Sequence, residues 1–272
     1  MRLDLSRTFG ALADLLASTP DADGAFGETL ARMLSTLVTF DHVVVFGYRG
    51  DERPIDLFDT FDADEHIVFV EKYQQGPYLL DPFYRAATEP KPGFWRMRDL
   101  APDRFFSSEY FRSYYIETGL AEEVGFFVDV SGDVAVVVSL MRKMATGIFP
   151  TREIAILQAV QPLVSLLIRS HWSDLPTRFD RQASVRSGGR RTSPGPDTGS
   201  VWRDMNLTRR EAAVVELVLQ GHSSDSIARR LEISNGTVKV HRRNVYRKLN
   251  ITSQTQLLSI YLDQFVRTGR TT

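Results

Sequence analysis

The 272-residue sequence contains no cysteine, and it lacks any run of about twenty apolar residues that would predict a membrane-spanning helix. Without cysteine the chain can form no disulfide, thiolate metal site or cysteine nucleophile, which is typical of proteins in a reducing compartment. The N-terminal segment MRLDLSRTFGALADLLAST carries acidic residues and a helical period where a signal peptide needs an unbroken apolar centre. We therefore expect a cytoplasmic protein.

Signatures of catalysis and of metal binding are also missing. The sequence has neither a Gly-rich phosphate loop nor a nucleophile elbow. Acidic groups around Asp64 and at Glu122 and Glu123 could form an acid/base pair, but such clusters in polar turns are usually solvated. No metal-ligand spacing is found among the five histidines, His42, His66, His171, His222 and His241. We therefore expect no enzyme activity, no metal and no cofactor.

Positive and negative charges nearly balance over the whole chain, which has a net charge of -1, but they are unevenly distributed along it. Residues 203–272 hold about twelve Lys/Arg against six Asp/Glu, whereas residues 1–172 hold about sixteen against twenty-five. A basic tail joined to an acidic front is compatible with nucleic-acid binding, although a basic surface is often only solvated.

Composition divides the chain into three parts. The stretch SDLPTRFDRQASVRSGGRRTSPGPDTGS has no apolar periodicity and is rich in Ser, Gly, Pro and Arg, which predicts a flexible linker at 173–202. We expect one folded domain at residues 1–172 and a second at 203–268. With 272 residues, two domains of this size can each bury a core.

Residues 1–172 show both helical and strand patterns. Two N-terminal amphipathic helices precede β-rich runs such as His42–Tyr48, and Ser131-Gly132-Asp133 is a tight-hairpin sequence between two further strands. Phe105–Gly119 is predicted to be helical, and Thr151–Ser170 to be a long amphipathic helix. The fold class is α+β: a layered domain with an antiparallel sheet, followed by an all-α C-terminal domain.

The C-terminal segment predicts four helices with regular start signals. Thr208-Arg-Arg-Glu211 is a capping box, Ser223 or Ser224 starts the next helix, and Ser234 caps the third. Ser253-Gln-Thr-Gln256 forms a second box before the fourth helix. The two central helices, joined by the short segment Glu232-Ile233-Ser234, constitute a helix-turn-helix.

The third helix of this segment has two distinct faces. Val238, Val245 and Leu249 recur at helical spacing and belong to the core, which leaves a basic face opposite. A helix in the major groove reads guanine edges with Arg or Lys and meets thymine methyl groups with small apolar side chains. We predict base contacts from Lys239, Val240 and Arg243, and phosphate contacts from Thr237, His241, Arg242, Arg247 and Lys248.

These residues resemble the DNA-binding domain of LuxR/FixJ-type regulators over roughly the last quarter of the chain. In that family the positions of Lys239, Val240 and Arg243 face the groove, and the helix at Gln254–Val266 makes dimer contacts, although core packing would equally explain its apolar stripe. The matching residues are Leu207, Thr208, Arg210, Glu211, Leu217, Gly221, Ile227, Ala228, Leu231, Ile233, Ser234, Thr237, Val238, Lys239, His241, Lys248 and Leu249.

A second resemblance, carried by fewer residues, links residues 40–172 to the autoinducer-binding domain of quorum-sensing LuxR proteins. Asp81-Pro82, Trp95, Tyr73 and Gly125 match residues of that domain. Where the family has a tryptophan that donates to the lactone carbonyl, this chain has Phe69, which has no donor. Loss of one such hydrogen bond costs about 1–3 kcal/mol, which argues against an acyl-homoserine lactone.

The front domain therefore has two interpretations. Either Phe69, Tyr73, Tyr78, Asp81 and Trp95 line a pocket for a small amphipathic molecule, or these aromatic residues are core and Asp81 braces the helix that begins at Pro82. The first predicts a dimeric transcription regulator controlled by a small-molecule effector, with RNA polymerase as a further partner. The second predicts an effector-independent regulator whose front domain serves dimerisation or protein contacts. A phosphoacceptor domain is not expected, because hairpins replace the parallel sheet.

Overall fold

The structure, a computed structural model, describes residues 4–17, 23–89, 91–116, 118–131, 133–186, 202 and 205–269. Helices α1 (Leu5–Ala17) and α2 (Asp23–Ser35) precede a five-stranded antiparallel sheet. Its strands are β1 (His42–Arg49), β2 (Ile55–Asp59), β3 (Gly93–Arg96), β4 (Leu120–Ser131) and β5 (Val134–Lys143), in the order β2-β1-β5-β4-β3. The predicted α+β class and the β4–β5 hairpin are confirmed.

The two faces of the sheet are both covered. Alternate residues of β1, such as Val43 and Val45, face a core shared with α1, α2 and the long helix α7 (Thr151–His171). Val44, Phe46 and Tyr48 face the opposite side and a second core. Since side chains alternate along a strand, the apolar run in β1 serves both cores.

Short helical segments cover this second face. They are α3 (Ala63–His66), a π-helical turn at Ile67–Lys72, 3-10 turns at Tyr73–Gln75 and Pro77–Leu80, α4 (Pro82–Thr88) and α5 (Met97–Leu100). A 3-10 turn at Phe105–Ser107, α6 (Glu109–Phe111) and a π-helical turn at Arg112–Ile116 follow. The predicted continuous helix at Phe105–Gly119 is therefore wrong. Ser108 starts a new turn there by accepting from the Phe111 N–H at 3.1 Å.

Helix α7 is long and apolar enough to cross a membrane by length and composition. Its apolar composition has another explanation, because Ile154, Leu157, Val164 and Ile168 are buried in the core beneath the sheet. The helix is thus the principal cover of one sheet face.

The beginning of the predicted flexible linker at 173–202 is ordered as a helix, α8 (Leu175–Arg186). Leu175 and Phe179, one helical turn apart, are both buried against the N-terminal domain. The Arg49 guanidinium lies over the Phe179 ring, 5.0 Å from its centroid, and reaches Asp180 at 2.6 Å. Two apolar residues at i and i+4 are enough to dock one helical turn, which the prediction overlooked. Residues 187–201 of the predicted linker lie outside the described residues.

The C-terminal domain contains α9 (Arg209–Leu219), α10 (Ser224–Leu231), α11 (Asn235–Lys248) and α12 (Gln254–Gly269). Each predicted cap is present: Thr208 and Glu211 form a reciprocal capping box, Ser223 accepts from Ser226, and Ser234 accepts from the Thr237 N–H. At α12 the Ser253 hydroxyl accepts from the Gln256 N–H at 3.2 Å. Local sequence therefore determines all four helix starts.

The C-terminal domain packs against the short helical segments of the N-terminal domain. The Arg104 N–H donates to the Gly221 carbonyl at 2.9 Å, and Asp103 accepts from the Ser223 N–H at 2.9 Å. Gly221 has φ +89°, and a β-carbon there would lie 2.6 Å from the Phe105 Cα. Only glycine allows both this left-handed conformation and so close an approach of the two backbones. We refer to the contact of residues 103–105 with residues 221–223 as the interdomain contact.

Candidate functional site

The helix-turn-helix presents α11 as its outer helix. Val238 and Val245 are fully buried beneath it, whereas Lys239, Val240, Arg243 and Arg247 are exposed at helical spacing on the other side. Val240 is 43% exposed, so this apolar side chain is accessible to a partner. The three predicted base readers, Lys239, Val240 and Arg243, thus lie together on one solvent-facing strip of helix.

The predicted phosphate contacts are placed less uniformly. Thr237 hydrogen-bonds the Ser234 hydroxyl at 2.8 Å, and His241 and Arg242 are half-buried. The Lys248 ammonium lies 2.7 Å from the buried Glu211 carboxylate and 3.1 Å from the Asn206 carbonyl. Lys248 therefore neutralises the acid of the α9 capping box, and this ion pair keeps the pKa of Glu211 lowered against the effect of its burial.

A polar cleft separates α11 from the N-terminal domain. Lys239 and Arg242 line it from α11, and Arg104 lines it from the N-terminal domain. His222 lies on the same wall, where burial first and then Arg230 and Arg85 lower its pKa to about 4. The histidine is therefore neutral at physiological pH, and the positive charge of the cleft comes from Lys and Arg. Arg104 is a basic residue of this region that the sequence analysis missed, because only the docking of the two domains brings it there.

A second concave site lies inside the N-terminal domain, between the sheet and the short helical segments, with about 40 Å³ of free volume. Of the predicted pocket residues, the structure brings together Phe69, Tyr73 and Asp81. The remaining lining residues are Val44, Phe46, Tyr48, Phe83, Tyr110, Tyr115, Leu120, Glu123, Ser139 and Met141. We call this space the inner cavity.

Two predicted pocket residues do not line the inner cavity. Tyr78 is buried in the surrounding core, where its ring packs edge-on against Tyr84 at 5.0 Å. Trp95 lies on the edge strand β3 and its indole N–H donates to the Lys91 carbonyl at 3.0 Å. Strand pairing and short-range packing hold these two side chains elsewhere, so their place in the predicted pocket is wrong.

The expectation that Glu122 and Glu123 are solvated is wrong as well, because both are buried. They point to opposite faces of β4, as successive strand residues do. Glu122 accepts from Arg96 at 2.5 Å, from Arg98 at 2.8 Å and from the Phe149 N–H at 2.7 Å. Glu123 lines the inner cavity. The alternation of β4 could have placed one of the two carboxyls inside, but a polar residue in a strand is normally assigned to solvent.

The polar groups of the inner cavity form two short chains. The Tyr48 and Tyr73 hydroxyls are 3.0 Å apart, and the Tyr73 hydroxyl donates to Asp81 at 2.7 Å. Asp81 also caps α4 by accepting from the Phe83 N–H at 2.8 Å, so its predicted bracing role is present. On the other wall the Tyr115 hydroxyl donates to Glu123 at 2.9 Å, and Ser139 also hydrogen-bonds Glu123.

Burial perturbs both carboxyl groups of the cavity. It raises the pKa of Asp81 to about 6. Burial together with repulsion from Asp81 raises the pKa of Glu123 to about 8. Desolvation disfavours the charged form of an acid, and a second acid nearby adds to the effect. At neutral pH the protonated form of Glu123 therefore predominates.

One group of side chains in the described part of the chain could hold a metal ion. Asp56, Asp59 and His66 offer ligand atoms within 4.8 Å of one another, all partly exposed. His66 Nδ1 already lies 2.8 Å from an Asp59 carboxylate oxygen. The arrangement is accounted for by this hydrogen bond and carries no metal assignment.

Known proteins resemble this chain both in its C-terminal segment and over longer stretches. Residues 205–261 match the family described as bacterial regulatory proteins, luxR family. The chain is 34% identical over 188 residues to an HTH-type transcriptional regulator in the exeN 3' region of Aeromonas salmonicida, covering 68% of this chain and 95% of that protein. It is 28% identical over 150 residues to the monoamine regulon transcriptional regulator of Klebsiella aerogenes, covering 55% and 54% of the two chains.

A solved structure shares the fold of the N-terminal part. The LBD domain of VqsR from Pseudomonas aeruginosa superposes with a TM-score of 0.52 and 24% identity, covering 60% of this chain and 94% of that one. The family and its members are transcriptional regulators and not enzymes. The chain belongs to the LuxR family of bacterial transcriptional regulators and carries the DNA-binding helix-turn-helix of that family at its C-terminal end.

Proposed function

We propose that this regulator binds DNA as a homodimer, that Lys239, Val240 and Arg243 read base edges, and that a small molecule in the inner cavity controls its DNA affinity. The exposed strip on α11 is the observation that supports DNA binding. In it the apolar Val240 lies between the cations Lys239 and Arg243, an arrangement suited to contact a thymine methyl group beside the edges of guanine bases. Thr237, His241, Arg242 and Arg247 would contact phosphates, whereas Lys248 already has its partner in Glu211.

Symmetry leads to the proposed operator. Two copies of the helix-turn-helix related by a two-fold axis would bind half-sites about one turn of DNA apart, so we expect an inverted repeat. Leu257, Leu258 and Tyr261 of α12 are buried within the chain, so the dimer contact proposed for Gln254–Val266 would use another face of that helix. Bound in this way in the cytoplasm, the regulator would also meet RNA polymerase.

Effector control is supported by a series of packed side chains that leads from the inner cavity to the interdomain contact. Tyr110 and Tyr115 line the cavity, and the ring of Phe105 lies 6.0 and 5.9 Å from theirs. Phe105 in turn abuts Gly221. A ligand that displaces Tyr110 or Tyr115 would therefore act on the segment that holds the helix-turn-helix. The fold similarity to a domain described as an LBD is consistent with this proposal.

The test of the DNA assignment is selection of random DNA fragments by the purified full-length chain, followed by affinity measurements at two salt concentrations. We expect a palindromic consensus. Lys239→Ala or Arg243→Ala should lose about 1–3 kcal/mol at particular base pairs. Arg32→Ala, an exposed arginine on α2, is the matched control and should bind like the parent. Equal losses on consensus and random DNA for the first two variants would contradict base reading.

The alternative is a regulator that responds to no effector, and the small free volume of the inner cavity favours it. Thermal shift measurements with a metabolite library separate the two, because a ligand that binds only the folded state raises the unfolding midpoint. A midpoint that no compound raises would leave the DNA assignment intact and reject the effector.

A further inference from the structure

The inner cavity has an unusual balance of charge and aromatic surface. Seven of its lining residues are aromatic: Phe46, Tyr48, Phe69, Tyr73, Phe83, Tyr110 and Tyr115. Aromatic faces carry a negative quadrupole that attracts cations. Among the residues that the structure describes as its lining, the charged types are Asp81 and Glu123, and none is Lys, Arg or His.

The hydrogen bonds of these two acids come from neutral donors. Asp81 accepts from the Tyr73 hydroxyl and the Phe83 N–H, and Glu123 accepts from Tyr115 and is hydrogen-bonded by Ser139. The adjacent Glu122, which is buried to the same degree, has two arginines. Two arginines therefore neutralise Glu122, which supports the structure, whereas no described lining residue of the cavity is a cation that could neutralise Glu123.

Two buried carboxyl groups of like charge are costly unless protons or a cation accompany them. Without a bound cation, a proton on Glu123 fulfils this need, since burial and repulsion from Asp81 raise the pKa of Glu123 to about 8. The other titratable groups facing Glu123 are Asp81 and the hydroxyls of Tyr48, Tyr73, Tyr110 and Tyr115. None of them is a cation, so among these groups a positive ligand would compete only with the proton on Glu123.

We propose that the ligand of the inner cavity is a small organic amine, bound as its ammonium ion between Asp81 and Glu123 with its hydrocarbon part against the aromatic walls. This inference rests on the proposed effector function and specifies its chemistry. About 40 Å³ admits only a few heavy atoms without movement. A longer amine requires the half-buried Phe69, which stacks on Phe61 at 4.6 Å, to move outward.

Binding of an ammonium ion displaces the proton of Glu123. The ammonium enters already charged, because alkylamines resemble lysine in basicity. It stabilises the ionised form of Glu123, so the carboxyl releases its proton to solvent. At pH 7 complex formation should therefore release close to one proton, and this release should vanish well above the Glu123 pKa of about 8.

The experiment uses the full-length chain with matched probes: propylamine against 1-propanol, and 2-phenylethylamine against 2-phenylethanol. We expect the amines to raise the unfolding midpoint and the alcohols to leave it unchanged. Calorimetry at pH 7 in two buffers of different ionisation enthalpy measures the proton release. Glu123→Gln should weaken amine binding at least tenfold, while Glu71→Gln, an exposed carboxyl on the neighbouring π-helical turn, should bind as the parent does.

Each other outcome counts against the amine. If an alcohol binds as well as its amine, or if a neutral library compound binds and no amine does, the ligand class is wrong while the cavity remains an effector site. If no compound binds, the effector proposal fails too, and operator binding is unaffected. Should Glu123→Gln not fold, the proton release of the parent chain still decides, because binding without release overturns the proposal.

Discussion

At the scale of single residues, neighbouring acids in β4 show how tertiary surroundings set chemistry. Glu122 and Glu123 are consecutive and equally buried, yet only the first has arginine partners. Glu123 meets hydroxyl groups, and burial and Asp81 raise its pKa to about 8. The same side-chain type thus serves as an ion-pair anchor at one position and holds a proton at the next.

The raised pKa predicts a pH dependence of stability. Glu123 titrates near 4.5 when unfolded and near 8 when folded, so the unfolded state releases its proton first as the pH rises. The contribution of Glu123 is therefore complete below about pH 4.5 and is lost as the pH rises through about 8. Urea unfolding from pH 5 to 9 should show a decline of the order of a few kcal/mol.

Glu123→Gln should flatten this decline, because the amide does not titrate. Glu71→Gln, an exposed substitution, should retain it. If parent and Glu123→Gln curves stay parallel from pH 5 to 9, Glu123 does not have the raised pKa.

At the scale of elements, the four C-terminal helices were predictable and the covering segments of the sheet were not. Thr208, Ser223, Ser234 and Ser253 cap their helices through hydrogen bonds to residues three positions on, so the signal is local. At 105–116 the chain breaks into short turns because Phe105, Tyr110 and Tyr115 must all face inward. That requirement is set by packing against the sheet beneath, and the local sequence pattern carries no information about this packing.

The same distinction explains the fate of the predicted pocket. Tyr73 and Asp81, which the family resemblance predicted as pocket residues, both line the inner cavity, and Asp81 belongs to an Asp-Pro pair at a helix start, a local feature. Tyr48, Glu123 and Ser139 come from three strands and meet only through sheet pairing. Trp95 was misplaced because its strand lies at the sheet edge.

Gly221 follows the end of helix α9 and also lies in the contact between the two domains. Alanine there would adopt φ +89° and place its β-carbon 2.6 Å from the Phe105 Cα. We expect Gly221→Ala to lower stability by about 1 kcal/mol from the left-handed conformation alone, and to separate residues 103–105 from the helix-turn-helix. Thermal unfolding and hydrogen exchange at Arg104 N–H measure the two effects.

Gly236→Ala is the control for this substitution. It lies in α11, where the added methyl group meets only the Ser234 hydroxyl at 3.5 Å. Its stability should match or exceed that of the parent, because alanine favours a helix over glycine. Protection of the Arg104 N–H that persists in Gly221→Ala would mean that the backbone contact tolerates a β-carbon.

At the scale of the whole molecule, the two domains meet through few polar contacts and one shared apolar cluster. Asp103 holds the Ser223 N–H, Arg85 reaches Gln220 at 2.7 Å, and Glu109 accepts from Thr255 at 3.0 Å. These groups lie on the same segments that enclose the inner cavity. An effector could therefore change how firmly the helix-turn-helix is held without touching the DNA-binding face.

This arrangement predicts that ligand binding and its effect on DNA binding can be separated. The double variant Arg85→Ala, Asp103→Ala removes two interdomain partners and leaves every residue of the inner cavity in place. It should bind a cavity ligand with unchanged affinity. The change in operator affinity caused by that ligand should fall severalfold, because the two sites can influence each other only through a contact whose stability depends on both. Asp99→Ala, an exposed acid nearby, should keep the full response. Paired titrations of ligand and operator measure the coupling, and a double variant that responds like the parent would show that the signal reaches the DNA-binding helix by another route.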